Sequence, residues 1–389
     1  MLLELRRYTR PCQLDIPAES PGPGAWDRPL PTWTGPVLGL AFGTHDIEMA
    51  TPATAALYEA YPELELVGCS TAGEVLGDAI SDGSVVVALL QFATTPVRVV
   101  SRSVADDAGF AGAEAGAELA SPTVQGQRLS AVLMFIDGLS ADVDAALQGV
   151  RSAIDPNVAI SGGVAGDGLE FERSWTLVDG VPRTAHLTLV GLYGNDVVVD
   201  HGVANGWRSF GPPRLVTRSD GPILYELDDE PVLDIYEHYL GDRTAELPSA
   251  ALLLPLAVTL PDGSEVVRTI LSIDDAARSM TFAATLPEGS VCSLMLGSTD
   301  RLLDGAAQAA MQIDTPASGP CLALAVSCVG RRMALGEETE DELDVVAHHF
   351  GDAAHVLGFY SYGEIAPTDE VNATVHNQSM TITAISERS

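Results

Sequence analysis

The 389-residue chain contains no lysine, so each of its 20 basic residues is an arginine. A Schiff-base lysine and a phosphate-binding loop of the GK[ST] type both need a lysine side chain, and both are excluded. Basic charge is also scarce, because 54 acidic residues give a net charge of -34 at pH 7. Nucleic acids require a basic face for their phosphates, so we expect no nucleic-acid partner for this acidic protein.

Long apolar runs and paired cysteines are missing as well. No stretch reaches the roughly 18 residues of a membrane span, since Pro255 interrupts the apolar run at 250–260. The first residues do not form a signal-peptide core, so we expect a cytoplasmic protein without membrane insertion. The cysteines are odd in number and include no C-x-x-C pair, which argues against a disulfide framework. They are Cys12, Cys69, Cys292, Cys321 and Cys328.

The pattern of strands and helices predicts a repeated α/β organisation. Residues 1–35 are rich in proline and glycine and indicate an extended lead-in. A strand-helix-strand-loop-strand module follows near 130–195 and again near 320–389. We therefore predict two related layered domains of mixed β-sheets flanked by helices, at 36–210 and 211–389. The boundary lies where Trp207, Pro212 and Pro213 interrupt the pattern.

Local signals place the ends of several helices. Thr51 followed by Pro52 is typical of an N-cap and first helical position. Ser140 predicts the start of a helix over 141–154, and Thr339 with Glu342 predicts a capping box for a helix ending before Gly351.

Three glycine-bounded loops follow buried strands at corresponding places in the modules. They are Gly68–Glu74, Ser161–Asp167 and Gly358–Glu364. Loops that connect the strands of a rigid sheet can present polar groups to a ligand. The third loop leads into a predicted strand over 373–385 that contains His376, Asn377 and Gln378.

These loops carry a family resemblance that covers about residues 35–389. The segment Gly68–Glu74 resembles the FIST N-terminal domain. The segments Ser327–Arg331, Gly358–Glu364 and His376–Thr381 resemble the FIST C-terminal domain. The resemblance implies an intracellular sensory module that binds small ligands such as amino acids. Family members are often fused to an output domain. None is visible in this sequence, so we expect a stand-alone module that signals through a separate protein partner.

Charged residues at the loops suggest how an amino acid is bound. Arg331, which we place at the end of the strand 321–328, is a candidate fork for a ligand carboxylate. Glu364 is a candidate acceptor for a ligand ammonium, and Glu74 in the first loop is its counterpart. Two structural alternatives stay open. Arg331 could pair with an acid at 337, 338 or 340, and the glutamates could bond to backbone amides of their own turns.

Uncharged residues complete the candidate ligand site. Tyr360 and Tyr362 alternate along an extended segment, so they either wall a pocket or pack against a helix. Ser70 supports the site from the first loop. His376 and Asn377 would point to opposite faces of a strand, and Asn377 is the preferred ligand contact.

An enzymatic alternative rests on Cys69, which could be the nucleophile of a thiol-dependent hydrolase or transferase. No spacing ties a histidine to it, so we expect a non-enzyme. His348, His349 and His355 do not predict a metal site, because the helix end at Gly351 separates His355 from the other two. No cofactor is expected. A ligand-free adaptor or scaffold is the remaining alternative.

Overall fold

The computed structural model describes residues 1–9, 25–120, 123–260, 263, 265–314, 319–367 and 373–388. The predicted fold class is confirmed, since the protein is a mixed α/β structure with several mixed sheets flanked by helices. The helices are α1 (Ile47–Ala60), α2 (Ala108–Ala120), α3 (Val143–Ala153), α4 (Val232–Leu240), α5 (Thr299–Met311), α6 (Val329–Leu335) and α7 (Thr339–Phe350).

The strands are short and numerous. In chain order they are β1 (Leu2–Thr9), β2 (Ala25–Trp26), β3 (Val37–Gly43), β4 (Leu64–Ser70), β5 (Glu74–Leu76), β6 (Ala79–Ser81), β7 (Ser84–Gln91), β8 (Val97–Ser103), β9 (Leu129–Ile136), β10 (Ala159–Val164), β11 (Thr176–Val178), β12 (Val181–Arg183), β13 (His186–Tyr193), β14 (Val197–Ala204), β15 (Arg208–Asp220), β16 (Ile223–Leu227), β17 (Glu230–Pro231), β18 (Leu256–Thr259), β19 (Glu265–Arg268), β20 (Ile270–Asp274), β21 (Ser279–Phe282), β22 (Val291–Leu296), β23 (Cys321–Cys328), β24 (His355–Ser361), β25 (Gly363–Pro367), β26 (Ala373–His376) and β27 (Met380–Glu387).

Three of the sheets are built on the same pattern. Each has a parallel pair at its centre, joined by a helical crossover: β3 with β4, β9 with β10, and β23 with β24. An antiparallel strand flanks the first member of each pair, namely β7, β13 and β27, and an outer strand follows, namely β1, β8 and β14. The module therefore occurs three times, whereas the sequence pattern indicated two copies.

The three modules exchange hairpins in cyclic order. After β4 the chain forms the hairpin β5–β6, which pairs with β24 of the third module. After β10 it forms β11–β12, which pairs with β4 of the first module, and after β24 it forms β25–β26, which pairs with β10 of the second. The loop that follows each parallel pair must therefore cross between sheets, and the three crossings come together.

Apolar side chains from all three sheets meet in one core. The rings of Phe42 on β3 and Phe359 on β24 stack with their centroids 4.5 Å apart. Phe135 on β9 packs edge-on against Phe42 at 5.4 Å. All three side chains are fully buried. Aromatic pairs contribute about 0.5–1.5 kcal/mol beyond the burial of their area, so this trio helps to hold the modules together.

The fourth sheet is inserted between β14 and α5 and has its own core. Its strand order is β19-β18-β22-β15-β16-β21-β20, and β17 pairs with β16. Helix α4 packs against it through Tyr236, whose hydroxyl donates to the Leu254 carbonyl at 2.8 Å.

The arrangement of strands differs from the predicted domain organisation. The proposed boundary between residues 210 and 211 falls inside β15, and the sheets of the second and third modules mix strands from both predicted domains. Within the predicted lead-in, β1 is a strand that pairs with β7 along its whole length. The rest of the proline-rich segment at 10–24, with Cys12, lies outside the described residues.

Three predicted local features are wrong. Helix α1 begins at Ile47 and not at Pro52, because the Asp46 side chain accepts from the Glu48 amide and leaves Pro52 inside the helix. Helix α3 is capped by Asp142 instead of Ser140. Thr339 forms no capping box, since its hydroxyl donates to the Gly336 carbonyl at 2.6 Å.

The predicted strand over 373–385 is also interrupted. Strand β26 ends at His376, and Gln378 adopts a φ of +63°, so β27 begins only at Met380. The intervening turn lets the Gln378 amide nitrogen donate to the carbonyl of Leu252 at 3.0 Å, which ties the turn to the inserted region.

Candidate functional site

The three loops predicted from sequence meet in a closed ring of backbone hydrogen bonds. The amide of Ala72 donates to the Tyr360 carbonyl at 2.8 Å, and that of Gly166 donates to the Ser70 carbonyl at 3.0 Å. The amide of Tyr362 donates to the Val164 carbonyl at 3.2 Å and closes the ring. Each loop thus donates one backbone hydrogen bond to another loop, and the three bonds define an approximate threefold axis through the loops.

Glycines at the base of the loops allow the parallel strands to approach. A side chain at Gly68, Gly162 or Gly358 would overlap the backbone of the neighbouring strand, at Ala41, Met134 or Ala325 respectively. Gly68 and Gly162 also share a φ of +143°, which disfavours other residues. Their place in the sequence motif therefore has a steric cause.

Two buried glutamates occupy equivalent positions beside this ring. Glu74 accepts from the hydroxyl of Thr71 at 2.7 Å, and from the hydroxyl and amide of Ser84 at 2.8 and 3.1 Å.

Glu364 repeats this arrangement with the hydroxyl of Ser361 at 2.8 Å and the hydroxyl and amide of Ser379 at 2.8 and 3.1 Å. Each carboxyl group accepts from a hydroxyl of its own turn, but the backbone amide that it accepts from lies 10 or 15 residues further along the chain, unlike the structural alternative drawn from the sequence.

The second module has no glutamate at the equivalent position. Thr176 takes the position of the glutamates, since it is paired with β4 as Glu74 is with β24. A carboxylate is nevertheless present, because Asp137 accepts from the hydroxyl of Ser174 and from the Ala185 amide, the latter at 2.6 Å. The sequence resemblance of the second loop is weaker for this reason.

Burial raises the pKa of both Glu74 and Glu364 from 4.5 to about 7, although their hydroxyl and amide donors oppose the shift. Between pH 4.5 and 7 the folded state therefore binds more protons than the unfolded state. The free energy of unfolding should fall as the pH rises through this interval.

We expect Glu364→Gln to make the free energy of unfolding depend less on pH in this interval. The reduction should be about 1.4 kcal/mol for each unit of the Glu364 pKa shift. Urea unfolding at pH 5 and pH 7.5 measures it, with the exposed Glu340→Gln as the matched control. Identical pH dependence in the wild type and Glu364→Gln would contradict the assignment.

Arg331 lies in the interior, on the first turn of α6. Its side chain is fully buried, and its Nε donates to Glu342 Oε1 at 2.8 Å. Its terminal nitrogens donate to Glu342 and to the carbonyls of Asn205 and Leu302. The ion pair that the sequence left open is present, but its partner is Glu342 because the helical turn directs Arg331 inward. A ligand-binding role for Arg331 stays a prediction.

The tyrosines are divided between two networks. Tyr360 is fully buried, and its hydroxyl donates to Glu342 Oε2 at 2.9 Å, which adds it to the Arg331 ion pair. Tyr362 donates to Asp167 and stacks on Phe171 with ring centroids 4.6 Å apart. The structure therefore does not bring the two hydroxyls to one partner.

Ser70 and Asn377 are also buried. The Ser70 hydroxyl accepts from the Trp175 amide at 2.9 Å. Asn377 donates to the neighbouring His376 carbonyl, and its Oδ1 has no hydrogen-bond partner among the described residues. Ligand contacts for both residues stay predictions.

A cleft of about 710 Å³ opens beside the ring, between the first loop, residues 168–170 and α6. Arg332, the residue after the predicted Arg331, lines it. Its Nη1 donates to the Ala72 carbonyl at 2.6 Å, which fixes the guanidinium against the first loop. Its side chain is 26 % exposed. Sequence reasoning missed this residue because it treated the segment as a strand end. On a helix, consecutive side chains point about 100° apart, so only one of two adjacent arginines can face the interior.

The guanidinium of Arg332 is only partly used. Nη1 and Nη2 donate to the two carboxylate oxygens of Asp82, at 2.8 and 2.7 Å. Its Nε–H and the second Nη2–H have no acceptor among the described residues. The Asp82 carboxylate raises the pKa of Arg332, so the group is a permanent cation.

The rest of the cleft combines apolar walls with an acidic rim. Ile80, Leu169 and Met333 form the walls, and Glu337 and Glu340 are exposed acids at the rim. In the part of the chain that the structure describes, neither of these two glutamates forms an ion pair. A cation, an apolar surface and free carboxylates therefore share one space.

The chemistry needed for a thiol nucleophile is not assembled at Cys69. The side chain is fully buried, and burial followed by the nearby charge of Asp137 raises the pKa of its thiol well above 9. Among the described residues, no group of three or more histidine, cysteine or acidic side chains could hold a metal ion. Nor is any of their helices long and apolar enough to cross a membrane.

Comparisons with known proteins match two family models to the chain. The family model of the FIST N domain matches residues 37–230, and that of the FIST C domain matches residues 233–367. No curated protein matches the chain. A crystal structure of a cyanuric acid hydrolase from A. caulinodans is similar with a TM-score of 0.33 and 9% identity, over 91% of this chain and 90% of that one.

Proposed function

Because the chain belongs to the FIST family, whose domains are associated with sensory and signal-transduction functions, we propose that it binds an α-amino acid in the Arg332 cleft. In this proposal the protein is a sensory module and not an enzyme. Ligand binding changes the loops around the cleft, and a separate signalling protein recognises the change.

The position of Arg332 is the observation that carries the proposal. Its guanidinium lines the cleft, is held by a backbone carbonyl of the first loop, and is otherwise paired with the mostly exposed Asp82 carboxylate. A planar guanidinium is suited to bind a carboxylate through two parallel hydrogen bonds. We therefore assign the ligand carboxylate to Arg332 and not to the buried Arg331.

The other lining residues of the cleft favour particular groups in the remainder of the ligand. The acidic rim formed by Glu337 and Glu340 favours an ammonium group, and Ile80, Leu169 and Met333 favour an apolar side chain. L-Leucine carries these three features in one molecule. 4-Methylpentanoate has the same chain and carboxylate but lacks the ammonium, so we expect it to bind more weakly than L-leucine.

We expect Arg332→Gln to weaken L-leucine binding by about 10- to 100-fold, because a charge-assisted hydrogen bond of about 1.5–3 kcal/mol is lost. Isothermal titration calorimetry on the purified protein, after a thermal-shift screen of amino acids, provides the measurement.

Arg218→Gln is the matched control, since Arg218 forms an exposed ion pair with Glu226 in the inserted sheet, away from the loops. Its affinity for L-leucine should equal that of the wild type. Equal affinity in the Arg332 variant would reject the assignment of this residue. Absence of binding by any amino acid to the wild type would reject the proposed function.

The hydrolase alternative makes a separate prediction. A thiol with a raised pKa and no exposure should react slowly, so iodoacetamide should label Cys69 no faster than the buried Cys328. Mass spectrometry of peptides after brief labelling distinguishes the two sites. Preferential labelling of Cys69 would favour the enzyme.

A further inference from the structure

Arg332, which lines the cleft, already binds a carboxylate of the protein itself. Asp82 lies at the tip of the turn between β6 and β7, and its side chain is 67% exposed. Its two oxygens accept from Nη1 and Nη2 of Arg332, which is the two-bond geometry that a ligand carboxylate would adopt. The residue that binds the ligand in the proposed function is therefore occupied by an internal carboxylate.

This internal pair is suited to exchange. Asp82 is mostly exposed to water, and an ion pair with such a side chain contributes little to stability, so its replacement by a ligand carboxylate costs the protein little. The turn is held lightly on one side as well, because β6 is the outermost strand of its sheet and pairs only with the three residues of β5. Movement of Asp82 thus requires no disruption of the core.

The other side of the turn is firmly connected. Ser84, two residues after Asp82, donates its amide and hydroxyl to the buried Glu74. Glu74 in turn lies in the loop whose Ala72 carbonyl accepts from Arg332. Because Ser84 is fixed to the first loop in this way, movement of Asp82 is confined to the surface segment at 81–83.

We propose that Asp82 competes with the ligand carboxylate for Arg332, and that its displacement on binding releases the turn at 81–83. This inference rests on the proposed function and adds two elements to it. Asp82 sets the affinity of the cleft, and the turn is the part of the protein whose position reports that the cleft is filled.

The test uses Asp82→Asn, which keeps the size of the side chain and removes its charge. We expect the Kd for L-leucine to decrease by about 2- to 5-fold, because the competing ion pair is removed. Asp78→Asn is the matched control. It removes the same charge from the same hairpin, but Asp78 forms no ion pair with Arg332. Its Kd should stay at the wild-type value.

A second readout follows the turn directly. Hydrogen exchange of the peptide that contains residues 81–83 should accelerate when L-leucine is added to the wild type and should not respond in Arg332→Gln. An unchanged Kd in Asp82→Asn, with binding still dependent on Arg332, would overturn the competition and leave the proposed function intact. Failure of L-leucine and the other amino acids to bind both the wild type and Asp82→Asn would overturn the proposed function itself.

Discussion

Replacing Arg331 by alanine is expected to lower the free energy of unfolding by about 3–5 kcal/mol, because the change leaves the Glu342 carboxylate buried without its cation. Neither side chain of this pair is exposed to solvent. Glu342 also accepts from Ser327 and Tyr360, both at 2.9 Å, so it cannot turn outward without breaking further bonds. Urea unfolding followed by circular dichroism measures the loss.

The matched control for this prediction is Arg278→Ala. Arg278 pairs with Asp234 and Glu237 at the surface, so its loss should cost below about 1 kcal/mol. The double variant Arg331→Met with Glu342→Gln should recover much of the lost stability, since no unpaired charge remains. A cost below 1 kcal/mol for Arg331→Ala would mean that the pair is not buried as described.

Replacing Gly68 by alanine is expected to cost about 3 kcal/mol or more, the upper end of the range for overpacking a core. The added Cβ would overlap the Ala41 backbone on β3, and the neighbouring strand cannot move without disturbing the sheet. The φ of +143° adds strain for any residue with a side chain. The equivalent change at Gly162 should have a similar effect, because both its φ and its contacts correspond.

Gly109→Ala provides the contrast. Gly109 lies in α2, where a Cβ would meet its neighbours at no less than 3.5 Å, so alanine should be neutral or stabilising by up to about 1 kcal/mol. Chemical unfolding of the purified variants compares the three positions. Wild-type stability in Gly68→Ala would contradict the close approach of β3 and β4 on which the equivalence of the modules rests.

Strong local patterns could be predicted from the sequence. The strand over 321–328 has the predicted bounds and the helix after Thr339 ends before Gly351 as predicted, because an apolar strand and a glycine at a helix end are encoded by adjacent residues. The FIST resemblance is confirmed for the same reason, since its motifs are contiguous. The three glycine-bounded loops likewise lie at corresponding positions.

Pairing between distant strands could not be predicted in this way. The exchange of hairpins joins β5 to β24, which are separated by most of the chain, and no local pattern records such a partner. The first module was hidden because its outer strand β1 lies within residues 1–35, where the proline- and glycine-rich composition indicates an extended lead-in. Sequence periodicity therefore indicated two copies where the structure has three.

The candidate site shows the same limit at the level of single residues. The sequence indicated an arginine in the segment that borders the cleft, but whether Arg331 or Arg332 faces the cleft depends on a helix starting at Val329. Asp82 carried no signal at all, because it contacts Arg332 only after the chain has folded. Local residue types thus indicated a segment beside the cleft, while tertiary contacts decide which of its side chains faces that cleft.

A crystal structure of the protein with saturating L-leucine tests the central claim most directly. The account predicts a leucine carboxylate within about 3 Å of the Arg332 guanidinium, an ammonium group near the acidic rim, and Asp82 displaced from its present position. Leucine bound at a different place, with the Arg332–Asp82 pair intact and the cleft empty, would contradict it.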